Sequence, residues 1–210
     1  MPTLLDLYKK YDCDKGTTGK FPHHYHTVYE KAFEPVREEP IKILEIGVWE
    51  GTSFNAHLDY FPNAELYGID IFTRLSMSDV KANKDDRVHL LKADSTTSSV
   101  ADAIREEWGD IEFDFIVDDG LHTPDANRLT FKNLFPFLKK GGTFFIEDVW
   151  PLDKLDFGEL NHPWIKGKPE YSQYKFVDFM TELTFHGSYK RHDLRKRSGL
   201  LDSHIFEVNK

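Results

Sequence analysis

A single cysteine, Cys13, stands among 210 residues, which excludes an intramolecular disulfide and any cysteine-rich metal knuckle. Positive charge is in deficit. Lys and Arg number 27 against 36 Asp and Glu, a net charge of −9, and such an acidic chain is a poor match for the phosphate backbone of DNA or RNA. Long apolar runs are missing as well. No stretch reaches the roughly 18 apolar residues of a membrane span. The N-terminus, MPTLLDLYKKYD, has no basic leader, and Asp6 interrupts its apolar residues, so no signal peptide is expected and the expected address is the cytoplasm. Repeats and low-complexity tracts are absent too. Aromatic residues, by contrast, are plentiful, with 17 Phe, 9 Tyr and 4 Trp. The length suits one domain, large enough to bury a core without covalent staples.

Apolar runs of strand length alternate with helical patterns. The expected strands are 41–48 (IKILEIGV), 65–71 (ELYGIDI), 88–94 (VHLLKAD), 113–119 (FDFIVDD) and 142–149 (GTFFIEDV). The expected helices are 52–60, 75–84, 97–108 and 125–139, the last stopped by Lys-Lys-Gly-Gly. This rhythm predicts an α/β fold, a mostly parallel sheet with helices on both faces, and near-continuous apolar strands fit double burial. Residues 1–37 read as a helical cap around the turn DKGTTGKF. Residues 151–171 read as a long irregular loop, 172–185 as a helix, and 187–193 and 203–208 as strands. The expected organisation is thus a single domain over 1–210: cap 1–37, core 41–150, acceptor loop 151–171, and a C-terminal helix and strand pair over 172–210.

On such sheets ligands bind beyond the carboxyl ends of the strands, so the residues there form a site list. The first strand runs into Glu45, Gly47, Gly51, Thr52 and Ser53. Glycines there allow close backbone approach, and the next helix N-terminus accommodates negative charge. The second strand ends at Asp70, 23 residues past Gly47, the spacing of an acid that binds ribose hydroxyls. The third ends at Asp94 and Ser95, where a carboxylate can meet an adenine amino group. Trp49 stands where a pyrophosphate-binding turn has its second glycine, which favours a nucleoside ligand without pyrophosphate, S-adenosylmethionine being the common one.

The fourth strand ends Asp118-Asp119-Gly120-Leu121-His122 and the fifth Glu147-Asp148. Neighbouring strands would bring four carboxylates and one imidazole together, and like charges that close need a cation. Oxygen donors suit a hard ion such as Mg²⁺. His122, just past Asp119, is placed to act as a base on a hydroxyl.

The ordered set IKILEIGVWEGTS, YFPNAELYGIDI, FIVDDGLH and FFIEDVW, with the N-terminal DKG and His23-x-Tyr25-x-x-x-Tyr29-Glu30, resembles a known family. It is similar to the class I S-adenosylmethionine-dependent sugar O-methyltransferases, the family of the mycinamicin and macrocin O-methyltransferases, with cephalosporin hydroxylase-like relatives. The likeness covers residues 12–150. It implies a Rossmann-like class I methyltransferase fold, S-adenosylmethionine as donor, Mg²⁺ as helper and a sugar-containing acceptor. By position it implies Asp119, Glu147 and Asp148 as metal ligands, and His122 as base with Asp119 beside it. At the cofactor it implies Glu45, Gly47, Asp70 and Asp94. Gly51, Thr52, Ser53, Ser95, Asp118 and Tyr25 complete the cofactor candidates.

Residues 150–210 match only loosely, so acceptor choice is assigned there, with Phe157, Trp164, Tyr171, His162 and Lys166 on the loop. The basic run Lys190, Arg191, Arg195, Lys196 and Arg197 reads as a solvated face. A catechol-like phenolic O-methyltransferase is the alternative function, and a hydroxylase-like oxidoreductase is less favoured because no His-x-Asp…His iron triad is evident. A homodimer is left open.

Overall fold

The computed structural model describes residues 1–186 and 188–210. Its strands form one sheet: β1 (Lys42–Ile46), β2 (Glu65–Asp70), β3 (Val88–Lys92), β4 (Phe113–Asp118), β5 (Leu138–Ile146), β6 (Tyr189–Asp193) and β7 (His204–Asn209). The order across the sheet is β3-β2-β1-β4-β5-β7-β6. The first five strands pair in parallel, and β7 lies antiparallel between β5 and β6. The helices are α1 (Leu4–Lys10), α2 (His26–Phe33), α3 (Thr52–Tyr60), α4 (Val100–Trp108), α5 (Pro124–Leu134), α6 (Gln173–Phe185) and α7 (Arg195–Ser198).

Successive side chains of a strand point to opposite faces, and both faces here are apolar. Leu44, Ile46, Phe113, Ile116, Phe144 and Ile146 pack with α4, α5 and α6. Ile43, Phe115, Val117 and Phe145 pack with α1, α2 and α3. Two cores therefore sandwich the central strands, the condition under which parallel strands are stable. From β1 the chain proceeds to β2 and β3 on one side, then returns to β4 and β5 on the other. The strand order thus reverses between β1 and β4, the place where sheets of this kind bind ligands beyond their carboxyl ends.

Several expected elements differ in kind or in bounds. Residues 75–84 form two short 3₁₀ turns, Met77–Asp79 and Lys81–Lys84, instead of a helix. The helix expected over 125–139 ends at Leu134 and gives way to a 3₁₀ turn, Phe135–Phe137. Pro136 has no N–H to continue the helical ladder. The Lys-Lys-Gly-Gly stretch is accordingly no helix stop: it belongs to β5, which starts at Leu138 and shifts register against β4 between Phe113 and Phe115. The helix expected from 97 begins at Val100. The first residue of the strand expected over 187–193 lies outside the described residues, and β6 begins at Tyr189.

Candidate active site

The turn after β1 is held by two devices. Gly47 has φ +84° and Gly51 φ +74°, the left-handed region that favours glycine. Asp70, at the end of β2, accepts hydrogen bonds from three backbone amides: Val48 N at 3.0 Å and Trp49 N at 3.3 Å on Oδ2, and Phe72 N at 2.8 Å on Oδ1. Its carboxylate thus fixes the glycine turn as well as marking the expected ribose position. Gly51 caps α3, and Thr52 opens that helix half-buried. Ser53 and Glu45 are buried and bound to each other, Ser53 Oγ donating to Glu45 at 2.8 and 2.9 Å. Burial raises the Glu45 carboxyl to about 7, against the opposing pull of Lys15. Trp49, Ile71 and Leu121, just past β1, β2 and β4, are exposed apolar side chains on this edge.

Three other expected cofactor residues have local tasks. Asp94 accepts from Thr96 N at 2.9 Å and Thr96 Oγ1 at 2.6 Å. Ser95 is buried, its hydroxyl 2.8 Å from that of Thr130 on α5. Asp118 is buried and accepts from Asn127 Nδ2 at 3.0 Å and Gly120 N at 3.3 Å, which ties the end of β4 to α5. Burial raises its carboxyl to about 6.

The acids beyond β4 and β5 converge on His122. Its Nε2 lies 3.5 Å from Asp119 Oδ1 and 3.8 Å from Asp148 Oδ2. One ligand atom from each of Asp119, His122 and Asp148 falls within 4.8 Å of the others, and all three side chains stay partly open to solvent. His122 and Asp148 have φ +58° and +52°, a conformation that non-glycine residues adopt at a cost, often at functional sites. Burial alone would lower the His122 pKa, but Asp148, Asp119 and Asp118 outweigh it and raise it above the ordinary histidine value. His122 Nδ1 is buried and has no hydrogen-bond partner among the described residues.

Glu147 stands beside this group, buried, with Oε2 accepting from Lys15 Nζ at 2.6 Å and Oε1 from the Tyr29 hydroxyl. Tyr25, expected at the cofactor, lies instead against the acids: it is fully buried and donates to Asp148 Oδ1 at 2.6 Å. Period-two alternation accounts for the partition. Glu45 and Glu147 continue the face of Ile43 and Phe145, which the N-terminal cap covers, whereas Asp118 continues the face of Ile116, which α5 covers.

With this geometry in view, residues 44–149 match a methyltransferase-domain family. The chain belongs to that family. This methyltransferase domain is 30% identical over 169 residues to mycinamicin VI 2''-O-methyltransferase of Micromonospora griseorubida, covering 77% of this chain and 40% of the relative. It is 30% identical over 135 residues to 8-demethyl-8-(2-methoxy-alpha-L-rhamnosyl)-tetracenomycin-C 3'-O-methyltransferase of Streptomyces olivaceus, covering 61% and 33%. The crystal structure of MycE methyltransferase with Mg, SAH and mycinamycin VI superposes with a TM-score of 0.69 at 25% identity, over 100% of this chain and 54% of that one. Structural neighbours of this kind place the sheet in the class I methyltransferase fold. The chain spans about half, or less, of the length of these relatives.

Two further regions of the methyltransferase domain are defined. The 151–171 loop is anchored by buried Leu152, Leu155 and Ile165 and leaves Phe157 and Trp164 exposed. The basic run is largely neutralised at home: Arg191 grips Asp153 through two 2.8 Å bonds, Arg195 pairs with Asp193 at 2.9 Å, and Lys190 pairs with Glu207 at 2.6 Å. Sequence reasoning missed Lys15 as a member of the acidic site. Its partners Asp119 and Glu147 lie 104 and 132 residues away, and nothing local to DKG marks it as their cation. No helix among the described residues is long and apolar enough to cross a membrane.

Proposed function

We propose that this domain methylates a sugar hydroxyl, using S-adenosylmethionine as donor and Mg²⁺ as helper. The observation that carries this is His122 Nε2 set between Asp119 Oδ1 and Asp148 Oδ2 at the sheet's reversal point. Gly47 meets Asp119 directly there, so the glycine turn and the base adjoin.

The donor set fits a hard divalent ion. Carboxylate oxygens predominate: one oxygen each of Asp119 and Asp148 lies within 4.8 Å of the other and of a His122 nitrogen, and Glu147, held by Lys15 and Tyr29, stands beside them. Asp119, Glu147 and Asp148 would hold it, Glu147 through the lone pairs that Lys15 and Tyr29 leave free. For the nucleoside, Asp70 stands at the ribose end, and Trp49, Ile71 and Leu121 give apolar cover.

S-adenosylmethionine supplies an electrophilic methyl group, and Mg²⁺ supplies positive charge that makes a hydroxyl more acidic. The chain's own residues provide the rest. His122 accepts the hydroxyl proton at Nε2, where Asp119 and Asp148 stabilise the imidazolium. The domain otherwise contributes orientation. A sugar-bearing acceptor is supported by the relative named for a rhamnosyl substrate and by exposed aromatic faces on the 151–171 loop, which suit a sugar's C–H face. The net charge of −9 favours such an acceptor over nucleic acid, and the cytoplasm is the proposed setting.

Chelation is the test. EDTA should abolish methyl transfer and Mg²⁺ restore it, while S-adenosylhomocysteine binding survives in the chelated protein. Full turnover after thorough chelation would leave the acids without a metal role.

A further inference from the structure

Each carboxylate beside His122 has one oxygen clamped by the N-terminal segment and the other turned to the ring. Asp119 presents Oδ2 to Lys15 Nζ at 2.5 Å and Oδ1 to His122 Nε2 at 3.5 Å. Asp148 presents Oδ1 to the Tyr25 hydroxyl at 2.6 Å and Oδ2 to His122 Nε2 at 3.8 Å. The same arrangement thus occurs twice, just past the ends of β4 and β5.

Both clamps are themselves fixed. Lys15 is 2% exposed. Its ammonium also donates to Glu147 Oε2 at 2.6 Å and lies 3.5 Å from Glu45 Oε1. A cation that deep forfeits its hydration, and only its carboxylate partners compensate. The backbone around it is pinned: Asp14, Lys15 and Gly16 carbonyls accept from the amides of His23, His26 and His24 at 2.7, 3.0 and 2.9 Å. The Tyr25 hydroxyl accepts from the Asp148 amide at 3.1 Å, and its ring stacks on His23 with centroids 5.1 Å apart. Being buried, neither Lys15 nor Tyr25 is open to a substrate; the Lys15 ammonium meets carboxylates, and the Tyr25 hydroxyl meets the Asp148 carboxylate and, at 3.3 Å, the Asp202 carbonyl.

We propose that Lys15 and Tyr25 are positioning residues, which hold one oxygen of Asp119 and one of Asp148 so that the other oxygen of each faces His122 and a divalent ion. This deepens the metal-dependent reading above and rests on it. Partners of this outer kind typically change metal affinity or activity by about 10–100-fold when removed.

The test compares Tyr25→Phe and Lys15→Met with the parental protein. Tyr25→Phe removes one oxygen atom and keeps the ring on His23, so it stands in if Lys15→Met does not fold. Metal-stripped proteins are titrated with Mn²⁺ and the free ion is read by electron paramagnetic resonance. Calorimetry follows S-adenosylhomocysteine, and a crystal structure of metal-free Tyr25→Phe locates the Asp148 carboxylate. The clamp predicts Mn²⁺ binding weaker by about 10–100-fold, unchanged S-adenosylhomocysteine binding and a displaced Asp148 carboxylate. Lys15→Met separates positioning from bulk charge, since loss of a positive charge by itself would tighten Mn²⁺ binding. Tighter binding in Lys15→Met, or parental Mn²⁺ affinity in Tyr25→Phe with Asp148 in place, overturns the proposal. If the parental protein takes up no Mn²⁺, the metal reading falls, and the Asp148 position alone decides: displaced supports the clamp, unmoved contradicts it.

Discussion

A side chain on Gly47 would put its first carbon 2.0 Å from the carbonyl oxygen of Asp119. The turn after β1 and the loop that carries Asp119 and His122 are therefore built against each other. The Asp119 amide adds a hydrogen bond to the Ile46 carbonyl at 3.0 Å.

Gly47→Ala should damage both halves of the site at once. The left-handed backbone at φ +84° and the backbone clash together should lower stability by about 1–3 kcal/mol. S-adenosylhomocysteine affinity and turnover should both fall. Chemical denaturation checks the first and calorimetry the second; parental values in both would contradict the packing described.

Asp70 holds the turn after β1 and is the proposed ribose acceptor, and Asp70→Ala tests both. Loss of the carboxylate frees the amides of Val48, Trp49 and Phe72 and removes the expected ribose acceptor. Hydrogen bonds to charged groups contribute about 1.5–3 kcal/mol, so calorimetry should show cofactor affinity reduced by about that amount. Unchanged affinity would take Asp70 out of the site.

His57 sets an acid-stability window. Its Nε2 lies 2.9 Å from the Tyr8 hydroxyl, and burial, followed by the Lys15 charge, lowers its pKa to about 3. The unfolded chain regains the ordinary value of about 6.5 and so binds the extra proton between the two. Stability is therefore full above about pH 6.5 and falls as pH drops toward the folded value. At pH 5 the loss from this group is about 2 kcal/mol relative to pH 8. The raised carboxyls of Glu45 and Asp118 act with the opposite sign, so the comparison must isolate His57. His57→Gln keeps an acceptor for Tyr8 without titrating in this range. Its stability difference between pH 8 and pH 5 should be smaller than the parental one by about that 2 kcal/mol. Equal differences would mean that His57 is not buried neutral.

The central strands were legible because they read as apolar runs, and double burial demands such runs. The clustering of the residues just past those strands was legible for the same reason: polar residues that end an apolar run sit where the sheet meets solvent. Asp119, His122 and Asp148 do gather there. Residues 125–139 were misjudged because helix and strand patterns overlap in NLFPFLKKGG, and only pairing with β4 decides between them. The placement of Lys15 and Tyr25 was hidden for a different reason. Both act across more than a hundred residues, through side chains buried between the cap and the sheet. Three carboxylates on the cap face of the sheet were the one available hint that a buried cation had to meet them.

In the proposed methyl transfer to a sugar hydroxyl, His122 is the base. The most direct measurement follows label from S-adenosylmethionine into a panel of glycosides with Mg²⁺ present, for the parental protein and for His122→Ala. The parental protein should place the label on a sugar hydroxyl, and His122→Ala should be slower in kcat by about 10²–10⁴, the usual effect of losing a positioned base, with S-adenosylhomocysteine affinity retained. Label on no glycoside, or a His122→Ala variant that matches the parental rate, would contradict it.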